Sequence, residues 1–159
     1  MFRNLALVVL SAGLFSGAAF ADDVQVGNWK ANAAKSHFKT APAPQSQVVS
    51  VAPQGKDGVK VTVNAVNAKG EKSTIEYAGQ YDGKQNPRTE SGAGAVPGQT
   101  VTLKRMDAHT AERVTYLNGK KLVAEKWDIS ADGKTRTVTQ NGVDPAGKPV
   151  DNVIVYEKQ

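Results

Sequence analysis

The sequence predicts an all-β protein: a single antiparallel up-and-down β-barrel of about eight to ten strands behind a cleaved signal peptide. Three observations carry this expectation. Apolar and polar residues alternate with a period of two over most of the chain. Short Asn-Gly and Asp-Gly turns separate the alternating runs. After Ala21 no stretch has the 3.6-residue period of a helix longer than one turn, the best being residues 32–35. A meander of this length usually closes on itself, because closure removes exposed strand edges.

The first segment is read as an export signal. Arg3 supplies a short positive start, residues 5–15 are apolar apart from Ser11, Ala12 and Gly13, and Ala19-Phe20-Ala21 is a small-x-small cleavage pattern before Asp22-Asp23. The apolar run is shorter than the roughly 20 residues that a spanning helix needs. The expected division is therefore a signal peptide over 1–21 and a barrel domain over 22–159. The mature protein is expected in the periplasm or outside the cell, without a stable membrane anchor.

The strands follow in order. Residues 59–65 place Val59, Val61, Val63 and Ala65 on one face and Lys60, Thr62 and Asn64 on the other. Residues 74–81 align Ile75, Tyr77 and Tyr81, with Gly79 between. The runs 100–106, 113–117, 122–129, 135–140 and 152–157 continue the alternation, rich in Thr and Val as pleated surfaces favour. Turns are expected at Asn67-Ala68-Lys69-Gly70, Asp82-Gly83-Lys84, Asn118-Gly119-Lys120, Asp132-Gly133-Lys134 and Pro145-Ala146-Gly147. Two stretches break the rhythm. Residues 40–46, with Pro42 and Pro44, read as an extended connection. Residues 91–98, with Gly92, Gly94, Pro97 and Gly98, read as a mobile loop, either a tolerated surface loop or one at the open end of a barrel.

Composition narrows the function. The chain has no Cys, which excludes disulfides, thiol catalysis and thiolate metal sites. Its net charge is +5, one unit of which, Arg3, leaves with the signal peptide. The lysines are scattered (Lys30, Lys56, Lys84, Lys104, Lys120, Lys134, Lys148) as in edge-protected β-proteins, without the clustered basic and aromatic surface that nucleic acid needs.

Val26-Gly27-Asn28-Trp29-Lys30 resembles the first motif of the calycins, the lipocalins and fatty-acid-binding proteins. The resemblance implies that Trp29 plugs the closed end of the barrel and that Gly27 lets the chain bend there. A closer resemblance spans nearly the whole mature chain. It rests on Gly27-Asn28-Trp29-Lys30, Asn32, Lys35-Ser36-His37-Phe38, Tyr81-Asp82-Gly83-Lys84, Leu103-Lys104-Arg105, Asp132-Gly133-Lys134-Thr135 and Val153-Ile154-Val155-Tyr156-Glu157-Lys158. These residues look like a family of small exported bacterial lipocalin-like proteins of unsettled function, which implies fold and compartment rather than an activity. Two features depart from typical lipocalins. There is no Thr-Asp-Tyr motif, and no Arg follows Arg136 to cover the Trp; Lys148 or Lys158 are the available substitutes.

No catalytic set emerges from the residues. His37 and His109 are too few and too far apart in sequence for a zinc site. Ser36 and His37 are neighbours, and neighbours on a strand point to opposite faces. Gly92-Ala93-Gly94-Ala95 lacks the Lys-Ser/Thr of a phosphate loop. Glu112 and Glu125 fit cross-strand ion pairs with Arg113, Lys126 or Lys104.

Charges on apolar faces point elsewhere. Arg105 shares a face with Val101 and Leu103, Arg136 with Val138, and Glu125 with Val123, Trp127 and Ile129. Either these charges emerge at strand ends, or they reach the barrel interior, where an Arg with a Tyr nearby holds a ligand carboxylate. The candidate ligand-binding residues are accordingly Arg105, Arg136, Tyr116, Tyr156 and Trp127, with Gly27 and Trp29 as the barrel base. The expected role is non-enzymatic binding of a small, partly hydrophobic ligand such as a carboxylate or lipid-like molecule, by a monomer without cofactor or metal. A filled barrel serving as an envelope interaction module, and a small exported enzyme, are the alternatives.

Overall fold

The computed structural model describes residues 23–159; the signal-peptide assignment at 1–21 lies outside the described residues. Eleven strands run in chain order: β1 (Gly27–Ala31), β2 (His37–Phe38), β3 (Ser46–Pro53), β4 (Gly58–Val66), β5 (Lys72–Gln80), β6 (Asn86–Gly92), β7 (Gln99–Arg105), β8 (Thr110–Leu117), β9 (Lys120–Ile129), β10 (Thr135–Val143) and β11 (Pro149–Lys158). From β3 to β11 each strand pairs antiparallel with the next, and β1 pairs with both β3 and β11. The result is a closed, ten-strand, up-and-down barrel, an architecture compatible with the calycins. The short β2 extends the line of β1 along β11 beyond a single 3-10 turn at Ala33–Lys35.

Local chemistry explains the turns. Asn118 and Gly119 both have positive φ, at 50° and 78°, as a two-residue hairpin loop with the right-handed twist of its strands requires. Asn32 caps the 3-10 turn by accepting the Lys35 N–H. The Ser36 hydroxyl is committed to backbone, donating to Asn32 O at 2.7 Å and accepting from Val155 N at 2.9 Å.

Two strands escape the alternation that marks the others. In β3, Val48-Val49 are consecutive apolar residues, so period two is masked, although Val49 and Val51 are buried. β6 reads Asn-Pro-Arg-Thr-Glu-Ser-Gly and contains no large apolar side chain. It pairs with β5 at five positions but with β7 only at Asn86↔Val101 and Pro87↔Thr100. Pro87 lacks the N–H that a ladder needs, and beyond it the two strands part.

The barrel interior has two zones. Toward the end where β11 finishes, Trp29, Val51, Val59, Val61, Val101, Leu103, Trp127 and Ile129 fill it as a solid core. Trp29 is fully buried, and its indole N–H donates to Gln25 O at 3.0 Å. Lys158 supplies the cation over its ring, with Nζ 5.2 Å from the centroid. Gly27 makes this possible: its φ is +142°, and a Cβ there would lie 2.7 Å from Lys158 Cε. The other end of the barrel is hollow.

Candidate functional site

A cavity of about 320 Å³ occupies the hollow half. Its mouth lies between the β6–β7 loop, at Gly94, and the β10–β11 turn, at Asp144 and Pro145. The Gly-rich stretch therefore does stand at the open end of the barrel. Val49, Val63, Ile75, Val138 and Val150 provide apolar wall, but the floor and one side are polar.

Register builds that polar side. Arg113, Glu125, Gln140 and Asn152 are consecutive cross-strand neighbours on β8, β9, β10 and β11. Their side chains form a belt. Arg113 Nη2 and Gln140 Nε2 both donate to Glu125 Oε1, at 2.5 and 2.7 Å, and Asn152 Nδ2 donates to Gln140 Oε1 at 3.0 Å. Glu125 Oε2 accepts the Trp127 indole N–H at 3.0 Å. Burial alone would push the Glu125 carboxyl up; the Arg113 charge and the hydrogen bonds from Trp127 and Gln140 outweigh it and hold the group ionised, below the ordinary carboxylate range. Burial raises the Tyr77 and Tyr156 hydroxyls, so both stay neutral. Arg113 stacks 5.1 Å from the Tyr77 ring.

Arg136 enters from two inward positions further down β10, beyond Val138. Only 2% of it is exposed, and its guanidinium carbon lies 4.4 Å from the Trp127 ring and 6.0 Å from that of Tyr156. Its Nε and Nη1 have no hydrogen-bond partner among the described residues. Glu125 is nearby, but its carboxylate is already engaged by Arg113, Gln140 and Trp127. Burial accordingly lowers the Arg136 pKa, although a guanidinium remains protonated at neutral pH.

A second polar cluster bridges the split between β6 and β7. Arg88 donates to Gln99 Oε1 and lies 3.4 Å from Glu90 Oε2, while Gln99 Nε2 donates to Glu90 Oε2 at 2.9 Å and to Val96 O at 3.0 Å. Side chains thus tie the two strands together where the backbone ladder has stopped.

The expected site residues divide. Arg136 and Tyr156 line the cavity together. Trp127 does not line it but forms the support beneath Arg136. Tyr116 sits beside the β-bulge after Thr115 and is not on the cavity wall. Arg105 is at the opposite end of the barrel. It donates to both carboxylate oxygens of Asp23, at 3.2 and 2.8 Å, and stacks 4.1 Å from the Tyr81 ring. Asp23 also accepts from Tyr81 OH, and Gln25, fully buried, donates to His109 O, so residues 23–26 stop the base. Alternation put Arg105 on an inward face, but it is the last residue of β7, where the barrel ends and the side chain turns to the base plug.

Arg113, Arg88, Glu90 and Gln140 carry the site and were not among the expected binding residues. Glu125 had been visible as an acid on an apolar face and Arg113 as its ion-pair partner; what linked them to a cavity was register. No known protein-family model matches the chain, and no curated protein is significantly similar to it.

Proposed function

We propose that this is an exported, non-enzymatic binding protein of lipocalin-like type, which holds a small, partly apolar anion in the hollow half of its barrel. The observation that carries the reading is Arg136. A buried guanidinium with two unpartnered N–H donors is costly. A site that keeps one stacked on an aromatic ring, at the wall of an open cavity, has the form of an anchor awaiting a carboxylate, which a charge-assisted hydrogen bond would satisfy. The apolar wall of Val49, Val63, Ile75 and Val138 would receive the rest of the molecule. Binding is favoured over catalysis because Glu125, the buried acid, is held ionised with both oxygens engaged and so is not poised to exchange a proton near neutral pH.

The test is to extract the purified protein with organic solvent and identify what it carries by mass spectrometry. A reproducible carboxylate, lost from an Arg136→Met variant and kept by an Arg105→Met variant, is the expected result. An empty protein that also fails to bind any anionic fluorescent probe would refute the reading.

A further inference from the structure

Resting on that reading, we infer that the ligand is a compact monoanion whose body carries hydrogen-bonding groups, and not a long-chain lipid. Three independent features lead there.

The first is charge. The cavity wall holds three guanidinium groups, Arg88, Arg113 and Arg136, and two carboxylates within it, Glu90 and Glu125. Glu90 is matched by Arg88 and Glu125 by Arg113. One cation, Arg136, is left over among the described residues. Asp144 is at the mouth, where water screens it, and its Oδ1 accepts the Ala146 and Lys148 N–H groups of its own turn. One negative charge on the ligand balances the interior; a second would find no free cation.

The second is the pattern of unused polar atoms. Besides Arg136 Nε and Nη1, the buried atoms Arg113 Nε, Arg88 Nε, Thr115 Oγ1 and Asn152 Oδ1 lack partners among the described residues, and all belong to cavity-lining side chains. These atoms are already closed to water, and an alkyl chain packed against the same side chains would leave them unpaired. A body with acceptors for the two Nε donors and Thr115, and a donor for Asn152, would pair with them as these wall side chains turn to meet it.

The third is size. At about 30 Å³ per water-sized group, a cavity of about 320 Å³ takes a molecule of roughly ten to twelve non-hydrogen atoms. A sixteen-carbon fatty acid needs about 500 Å³ on the same scale, so its outer part would pass Gly94 and Pro145 into water.

The experiment follows the Trp127 indole N–H resonance, which reports on Glu125 and lies under Arg136, in titrations of the full protein at mildly alkaline pH. Four probes suffice: 4-hydroxyphenylacetate, the corresponding neutral amide, 4-hydroxyphenyl phosphate as a dianion, and hexadecanoate. The carboxylate is expected to shift the resonance saturably, the amide to bind roughly 30-fold more weakly, the dianion to bind more weakly than the carboxylate, and hexadecanoate not to compete. Hexadecanoate that binds more tightly than 4-hydroxyphenylacetate would overturn the inference and leave anion binding standing. So would a dianion that binds as tightly as the monoanion. A resonance moved by none of the four would remove the inference together with the binding reading.

Discussion

Replacing Arg136 by Met should stabilise the ligand-free protein, although Arg136 is almost wholly buried and packs on an aromatic ring. Its two orphan donors cost about 1–3 kcal/mol each. Against this stands a cation–π contact with Trp127 worth about 2 kcal/mol when desolvated, of which a methionine sulfur on the same ring recovers about 1 kcal/mol. The attraction of Glu125 adds little, because Arg113 already neutralises that carboxylate. Met keeps the length and volume of the stem, so no large void opens. Shifts of neighbouring side chains ease part of the orphan cost, and the balance is a gain of about 1 kcal/mol, or roughly 4 °C in Tm for a chain of this size. Urea denaturation followed by tryptophan fluorescence measures it. Arg113→Met is the matched control: it leaves Glu125 buried without its cation and should cost about 3 kcal/mol or more. Two buried arginines facing one cavity would then respond with opposite signs. A loss of more than about 1 kcal/mol in Arg136→Met would show that the guanidinium is already satisfied without ligand, and the anchor argument would fail.

Glu125→Gln should cost about 3 kcal/mol at neutral pH. Glu125 has a folded pKa below its ordinary value near 4.5, so its contribution is fully present above that value and is lost as pH falls through the folded pKa. The gap between wild type and variant in denaturation curves should therefore narrow in acid; a gap independent of pH would contradict the ionised assignment. Arg105→Met should leave ligand affinity unchanged, reduce stability by roughly 1 kcal/mol or less, and make residues 23–26 more open to proteolysis, read by limited digestion. Gly27→Ala should destabilise by about 1–3 kcal/mol from backbone strain alone, with further loss as Lys158 is pushed off Trp29; an unfolding midpoint equal to wild type would contradict that base geometry.

Much of the barrel was legible because alternation and turn chemistry are local. The runs beginning at residues 59, 74, 100, 113, 122, 135 and 152 each lie in an observed strand, give or take a residue at the ends, and Asn118-Gly119 closes a tight hairpin. β6 was not legible, because its inward residues Arg88 and Glu90 face a polar cavity and leave no apolar stripe to read. Among the candidate binding residues, Arg136 and Arg105 looked alike in sequence: each is a cation on an apolar strand face. Position along the barrel separates them, one reaching over Trp127 toward a cavity and the other bound to Asp23 at the base.

Period, turns and charge in the sequence determined that this chain forms an antiparallel β-meander with cations on inward faces, since each of these depends on residues a few positions apart. Only the tertiary structure decided which cations meet acids and which one is left over. Arg113, Glu125, Gln140 and Asn152 are brought into one row by strand register, and a register shift of one residue would turn that entire row to the outside.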